Sequence, residues 1–261
     1  MRTMRTLARR GRFANQLFQY AYLRLTSPKE YQCAPWVGRY LFGHDDPTVT
    51  FKFWQAKERK LYEAEKSNLA TLDNVDLVGY FQYHTRFYAA HKDQFKALFQ
   101  PTEAIEAVVR PQVDALRAAG RTLVGLHLRR GDYGSFRRKS ARWCFVAPTD
   151  WYRRWLDKNL ADLIDPIVFI ASDDLDAVLG DFDGYQPHVS TVGLLDAPFY
   201  SDFYTLTQCD RLLISNSSFG FAASMLAADG VQCWRPRLSQ KRLVPYDPWN
   251  AYTVYTDERY D

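Results

Sequence analysis

The sequence predicts an α/β fold of two Rossmann-like halves, because one pattern occurs three times. Apolar runs of strand length at residues 123–126, 166–171 and 211–214 each lead into a polar cluster, and stretches with helical spacing follow. The clusters are Arg129-Arg130-Gly131-Asp132, Ser172-Asp173-Asp174 and Ser215-Asn216-Ser217-Ser218. In an open parallel sheet, ligands bind beyond the carboxyl ends of the strands, so the three clusters predict one crevice. The 261 residues have room for two such halves, and a boundary near Gly120 divides them into residues 1–119 and 120–261.

The first half opens with a weak strand at 6–9, a turn at Gly11, and a helix with Leu17, Phe18, Tyr20, Ala21 and Leu25 on one side. Pro28 stops that helix, because it cannot donate to the backbone ladder. A strand-turn-helix unit that begins at a glycine presents amides and a carboxamide to a ligand, which makes Asn15 and Gln16 candidate contacts. The alternative for Asn15 is a plain helix cap. An irregular aromatic region follows, with Tyr31, Trp36, Tyr40, Phe42, Phe51, Phe53 and Trp54. Flat apolar rings beside polar groups can stack on a sugar, so Trp36, His44 and Asp45 are candidate acceptor contacts; core packing is the competing reading. A strand at 76–81, a helix at 85–99 and a helix at 105–119 complete this half, and Gly120 ends the last of them.

The second half begins with the arginine motif. Helices are predicted at 151–163, 175–179, 203–208 and 219–228, a last strand at 231–234, and coil over 236–249. Arginine stays charged at any working pH, and its planar fork matches phosphate oxygens. Arg129 and Arg130 can therefore stabilise a diphosphate as it leaves, with Asp132 placed to orient them; these three are the candidate catalytic residues. Asp173, Asp174, Asn216, Ser217, Ser218 and Phe219 are candidate substrate contacts, the serines at a helix start that favours an anion. Helix capping is the alternative for each serine or aspartate cluster.

The net charge of +4 is too weak and dispersed for nucleic acid, and the four cysteines have neither metal-ligand spacing nor a disulfide framework. The five histidines show no ligand spacing either, so no metal and no cofactor are expected. Four arginines lie within residues 1–10, but no apolar segment of signal or membrane-spanning length follows. The expectation is a cytoplasmic chain with at most peripheral contact with a membrane and a solvated tail at 257–261; the oligomeric state is not legible.

Five segments in this order resemble the family 11 glycosyltransferases, the α-1,2-fucosyltransferase group, and more distantly the α-1,6- and protein O-fucosyltransferases. They are Gly11 to Ala21 (GRFANQLFQYA), Gly79-Tyr80-Phe81-Gln82, His127 to Tyr133 (HLRRGDY), Ser172-Asp173-Asp174, and Asp202 to Leu226 (DFYTLTQCDRLLISNSSFGFAASML). The resemblance implies a GT-B-type fold whose halves face a central cleft, a metal-independent inverting transfer, and GDP-β-L-fucose as donor substrate. It implies a glycan or glycolipid acceptor, with fucose passing to the 2-hydroxyl of a terminal galactoside. By position it sets Arg129 and Arg130 at the diphosphate, His127 at the nucleotide or fucose, Asp173 and Asp174 at the guanosine, Ser217 and Ser218 at the phosphates, and Asn15 and Gln16 on the sugar side. The family's first motif reads Gly-Gly-x-Gly-Asn-Gln, whereas Arg12 and Ala14 stand at two of its glycines here. Two other readings are a transferase with another sugar nucleotide or linkage, and a carbohydrate-binding or adhesion protein that exposes Arg130-Gly131-Asp132.

Overall fold

The computed structural model describes residues 1–27, 30–58, 74–135 and 144–254; Pro28 and the tail at 257–261 lie outside them. The chain divides into two compact units, Met1–Tyr83 with Phe87–Ile105, and His84–Arg86 with Glu106–Asp261.

The first unit holds a parallel sheet of β1 (Arg2–Met4), β2 (Tyr31–Cys33), β3 (Trp54–Lys57) and β4 (Val75–Val78), in the order β2-β1-β4-β3. The first strand lies ahead of the predicted 6–9, and residues 5–10 form turns. Polar Arg2 and Thr3 hid it, yet both are buried. Asp76 of β4 explains why the chain leaves the sheet there. Its Oδ1 accepts from Thr3 Oγ1 and the Arg5 N–H, each at 3.0 Å, and its Oδ2 pairs with Arg5 Nε at 3.0 Å. β2 and β3 both arise in the region read as irregular. Helix α1 (Phe13–Thr26) follows β1, and α2 (Gly38–Phe42) follows β2. In place of one helix over 85–99 there are two, α3 (Arg86–Ala89) and α4 (Lys92–Ala97), divided by a turn at Ala90 and His91.

Helix α5 (Glu103–Ala119) was expected to close the first half, but from Glu106 onward it belongs to the second unit. Its polar groups explain this. Gln112 Nε2 donates to Thr205 Oγ1 at 2.7 Å, its Oε1 accepts from the Thr191 N–H at 2.8 Å, and Arg117 pairs with Asp210 at 2.6 Å.

The second unit is built on β5 (Thr122–Leu128), β6 (Pro166–Ser172), β7 (Arg211–Leu213), β8 (Gln232–Arg237) and β9 (Arg242–Tyr246), in the order β6-β5-β7-β8-β9. The first four are parallel, and β9 runs antiparallel on the edge. The predicted coil at 236–249 is thus partly strand. Pro236 and Pro245 disguised it, but Pro245 lies on an edge strand and Pro236 beyond the β7 pairing, where a missing donor breaks no ladder. One face of the sheet buries Val124, Leu126, Leu128, Val168 and Ile170 against Trp151, Tyr152, Trp155 and Leu156 of α6 (Thr149–Asn159). The opposite face carries α7 (Tyr200–Thr207) and α8 (Ser218–Leu226). Gly125 lets α7 approach closely there, since a Cβ would stand 3.0 Å from Leu206 Cδ2. The helix predicted at 175–179 is a turn leading into a 3-10 helix at Leu179–Tyr185, where Gly180 and Gly184 disfavour an α-helix.

Candidate active site

The sheet register brings the three polar clusters to one edge of the second unit. Leu128 of β5 pairs with Ser172 of β6 on one side, and Leu126 with Leu213 of β7 on the other. The residues that follow each strand are therefore neighbours. Ser172 Oγ donates to the Leu128 carbonyl at 2.8 Å, and Ser215 Oγ donates to the His127 carbonyl at 2.7 Å. Ser215 also accepts from the Arg129 N–H at 2.7 Å, so this serine stitches β7 to the start of the arginine motif. Sequence reasoning passed over it as part of a cluster, with no signal to separate it from its neighbours.

Asp173 organises the arginines. Its Oδ1 accepts from the Arg130 N–H at 2.7 Å, and its Oδ2 pairs with Arg129 Nη1 at 2.7 Å. Gly131 is required by this packing, because a Cβ would collide with the Asp173 carboxylate. Asp132 pairs with Arg129 Nη2, and the guanidinium lies 5.2 Å from the centre of the Tyr133 ring. The Arg129 side chain is 13% exposed, which makes it a held cation rather than a surface arginine. The Asp132 carboxylate thus holds one nitrogen of the Arg129 guanidinium. Asp173, by contrast, spends both oxygens on the arginine motif instead of standing free for a guanosine. Asp174 is exposed beside it, with its N–H donated to Ser172 Oγ at 3.1 Å.

The third cluster divides by burial. Asn216 is completely buried, and its Oδ1 accepts from Arg235 Nη2 at 3.0 Å, which gives that oxygen a structural partner inside the unit. Arg235, itself fully buried, was not foreseen; an arginine between Trp234 and Pro236 carries no signal of its partner. Ser217 caps α8, accepting from the Phe219 N–H at 3.3 Å, and Ser218 opens the helix. Capping occupies the Ser217 oxygen and leaves the helix-start dipole in place for an anion.

His127 lies on the face of the sheet covered by α8. Its ring centre is 5.2 Å from that of Phe219, which in turn meets Phe203 of α7 at 5.2 Å. His127 is 5% exposed; burial and the charges of Arg129 and Arg130 push its pKa down to about 3, which keeps the ring neutral. Its Nδ1 is buried without a partner and faces Gly220, where a Cβ would come within 2.7 Å of it. Asp202, beside Phe203 in the first turn of α7, has its pKa raised to about 6 by burial, against the opposing bond to Ser190.

In the first unit, Asn15 and Gln82 meet. Asn15 Oδ1 accepts from Gln82 Nε2, which joins the first turn of α1 to the segment after β4. Asn15 is therefore not the helix cap; Arg12 holds that position and its side chain makes no capping bond. Gly11 is fixed on two counts, a φ of +74° and a Cβ that would run into the Asn15 side chain. Gln16 is buried in α1. Two of the three candidate acceptor contacts are packed inward: Trp36 is 6% exposed, with its ring centre 4.7 Å from Tyr20 and 6.1 Å from His44. His44 Nε2 lies 2.7 Å from the Leu98 carbonyl, and burial lowers its pKa. Asp45 is exposed, whereas Asp46 is buried and accepts from Tyr20 Oη at 2.9 Å and Tyr31 Oη at 2.6 Å. Large rings gain more by leaving water than a sugar platform at this position could return, which is why Trp36 and His44 turned inward.

Among the described residues, no group of three or more His, Cys, Asp or Glu is placed to hold a metal ion, and no helix is long and apolar enough to cross a membrane. All four cysteines are buried and free.

Two arginines and a helix start lie together at the carboxyl edge of a parallel sheet, an arrangement whose charge and free amides suit an anion. The chain belongs to glycosyl transferase family 11, whose profile matches residues 1–243. It is 27% identical over 236 residues to galactoside alpha-(1,2)-fucosyltransferase 1 of Saimiri boliviensis boliviensis, covering 83% of this chain and 63% of that protein. The human galactoside alpha-(1,2)-fucosyltransferase 1 is 33% identical over 109 residues, 41% of this chain and 29% of its own length. The chain thus spans less than two thirds of these relatives. Among solved structures, a point mutant of Arabidopsis thaliana FUT1 in complex with GDP superposes with a TM-score of 0.59 at 11% identity, covering 94% of this chain and 73% of that one. This likeness shows a shared α/β fold.

Proposed function

We propose that the chain is an inverting fucosyltransferase that moves L-fucose from GDP-β-L-fucose to a glycan hydroxyl, the 2-hydroxyl of a terminal galactoside. The observation that carries this reading is the Arg129–Arg130 pair held by Asp173 and Asp132 at the end of β5. The family membership and the names of the relatives support the donor and the linkage. In this reading the acceptor hydroxyl attacks the anomeric carbon from the face opposite the diphosphate and gives up its proton to solvent, and the C–O bond to GDP breaks as negative charge collects on the β-phosphate. Arg129, Arg130 and the start of α8 stabilise that charge without a metal, as preorganised donors do. Neutral His127 and Phe219 border the nucleotide. Asn15, Gln16 and Gln82 line the sugar side. The same reading puts the chain in the cytoplasm with peripheral membrane contact, which fractionation followed by salt washing tests.

The deciding experiment is titration with GDP and with UDP in the presence of EDTA, then turnover of GDP-fucose with a β-galactoside and linkage analysis of the product. Tight GDP binding without metal and an α-1,2 product are expected. UDP preference or strict manganese dependence overturns the donor assignment, and fucose at another hydroxyl overturns the linkage.

A further inference from the structure

With Trp36 and His44 turned into the core, the sugar side needs another flat surface, and the carboxyl end of β4 supplies one. All four residues of β4 are buried, and the chain then passes Gly79 and exposes the Tyr80 ring, which is 44% accessible. Tyr80 is held there by its neighbours on both sides. Its N–H donates to Glu58 Oε2 at 2.8 Å, and the Glu58 carbonyl accepts from Tyr83 Oη at 3.2 Å. Gly79 makes room for the Glu58 side chain, where a Cβ would collide.

Phe81 adopts a left-handed φ of +55°, a conformation that costs a non-glycine residue about 1–2 kcal/mol. This turn sends the Phe81 ring inward onto Tyr22, with ring centres 4.2 Å apart and planes 11° from parallel. It also lets the Phe81 carbonyl accept from Tyr88 Oη at 2.6 Å. The next residue, Gln82, reaches Asn15. An exposed aromatic face and a pair of joined carboxamides therefore follow the same strand within three residues. That is the chemistry a pyranose ring needs: a flat apolar surface for its C–H face and amides for its hydroxyls.

Other exposed rings are placed differently. Phe51 and Trp54 are more accessible, but Trp54 pairs with Val75 at the amino end of the sheet, about 17 Å along the strand from Tyr80 at ~3.3 Å per residue.

We propose that Tyr80 is the stacking platform for a sugar ring of the acceptor, next to the Asn15–Gln82 carboxamides. This rests on the fucosyltransferase reading for the identity of the acceptor. The full chain with Tyr80→Ala, Tyr80→Trp or no change is compared in steady-state transfer, with methyl β-galactoside varied at saturating GDP-fucose and then GDP-fucose varied at a fixed high concentration of methyl β-galactoside. The expected result is an acceptor KM raised about three- to tenfold in Tyr80→Ala, recovered in Tyr80→Trp, with the donor KM kept. An unchanged acceptor KM, or a loss that falls equally on the donor KM, overturns it. Saturation-transfer NMR of methyl β-galactoside with the same proteins reads the platform even if the wild-type chain transfers no fucose. Signal lost in Tyr80→Ala alone supports the proposal, and equal or absent signal in all three proteins overturns it.

Discussion

Asp173 grips two successive residues in two ways: one carboxylate oxygen takes the Arg130 backbone N–H and the other the Arg129 guanidinium, both at 2.7 Å. The side chain of one arginine and the main chain of the next are set by a single residue from the neighbouring strand. Asp173→Asn keeps a backbone acceptor and loses the charge, whereas Asp173→Ala loses both. GDP affinity measured by calorimetry should fall about tenfold in the first and further in the second, since charge-assisted bonds are roughly twice as strong as neutral ones. Arg129→Ala and Arg130→Ala should lose transfer activity with the circular dichroism spectrum intact. Wild-type affinity in Asp173→Ala would show that the grip is irrelevant to the anion.

Gly220 should tolerate no side chain without a cost. A Cβ there meets His127 Nδ1 at 2.7 Å and Ile214 Cβ at 2.9 Å, and neither can retreat from a packed sheet. Gly220→Ala is expected to lose about 1–3 kcal/mol in urea unfolding, in the range for overpacked cores. Stability equal to wild type would mean the ring moves freely.

Asp202 gives a pH dependence with a definite sign. Its folded pKa of about 6 is above the ordinary aspartate value, so the folded state holds the proton more tightly. The stability it contributes is full below pH ~4 and is lost as pH rises through about 6. Asp202→Asn removes that loss. The variant should be more stable than wild type at pH 7.5, by on the order of 2 kcal/mol, and equal to it near pH 3.5. His127 acts in the opposite sense, because its folded pKa of about 3 means that the unfolded chain takes up the proton first as pH falls below 6.5. The Asp202→Asn variant should therefore lose stability more steeply on acidification than wild type. Parallel curves of melting temperature against pH would refute the assignment.

Asp46 ties the first unit together through Tyr20, Tyr31 and, at 3.6 Å, Arg24. Asp46→Ala leaves two phenols without their acceptor and a partly buried guanidinium without its counter-charge. A loss of about 2–4 kcal/mol in chemical unfolding is expected. A loss below 0.5 kcal/mol would identify the contacts as incidental.

The strand-end clusters of β5, β6 and β7 were legible because apolar runs that stop at polar residues report directly on a parallel sheet. Their partners were not. Asp173 reads equally as a nucleotide ligand and as a brace for Arg129, and only the register of β5 against β6 decides. The same holds for Asn216, whose inward carboxamide follows from Arg235, a residue with no marker in the sequence. β1 escaped because Arg2 and Thr3 are polar yet buried, satisfied in part by Asp76 some seventy residues away. The aromatic loop was ambiguous in principle: burying a ring and presenting it draw on the same residue types. Position at a strand end, not aromatic content, separates Tyr80 from Trp36.

Arg235 makes the anion site depend on a distant stretch of chain. Its guanidinium donates to the Asn216 carboxamide on one side and to the Tyr252 and Thr253 carbonyls on the other, at 2.5 and 3.2 Å. A protein cut after Asn250 would keep every side chain at the strand ends, including both arginines of the β5 motif. It would lose the carbonyls that fix a buried cation beneath the start of α8. Shortening of this kind should loosen nucleotide binding from below, with no residue of the binding surface touched.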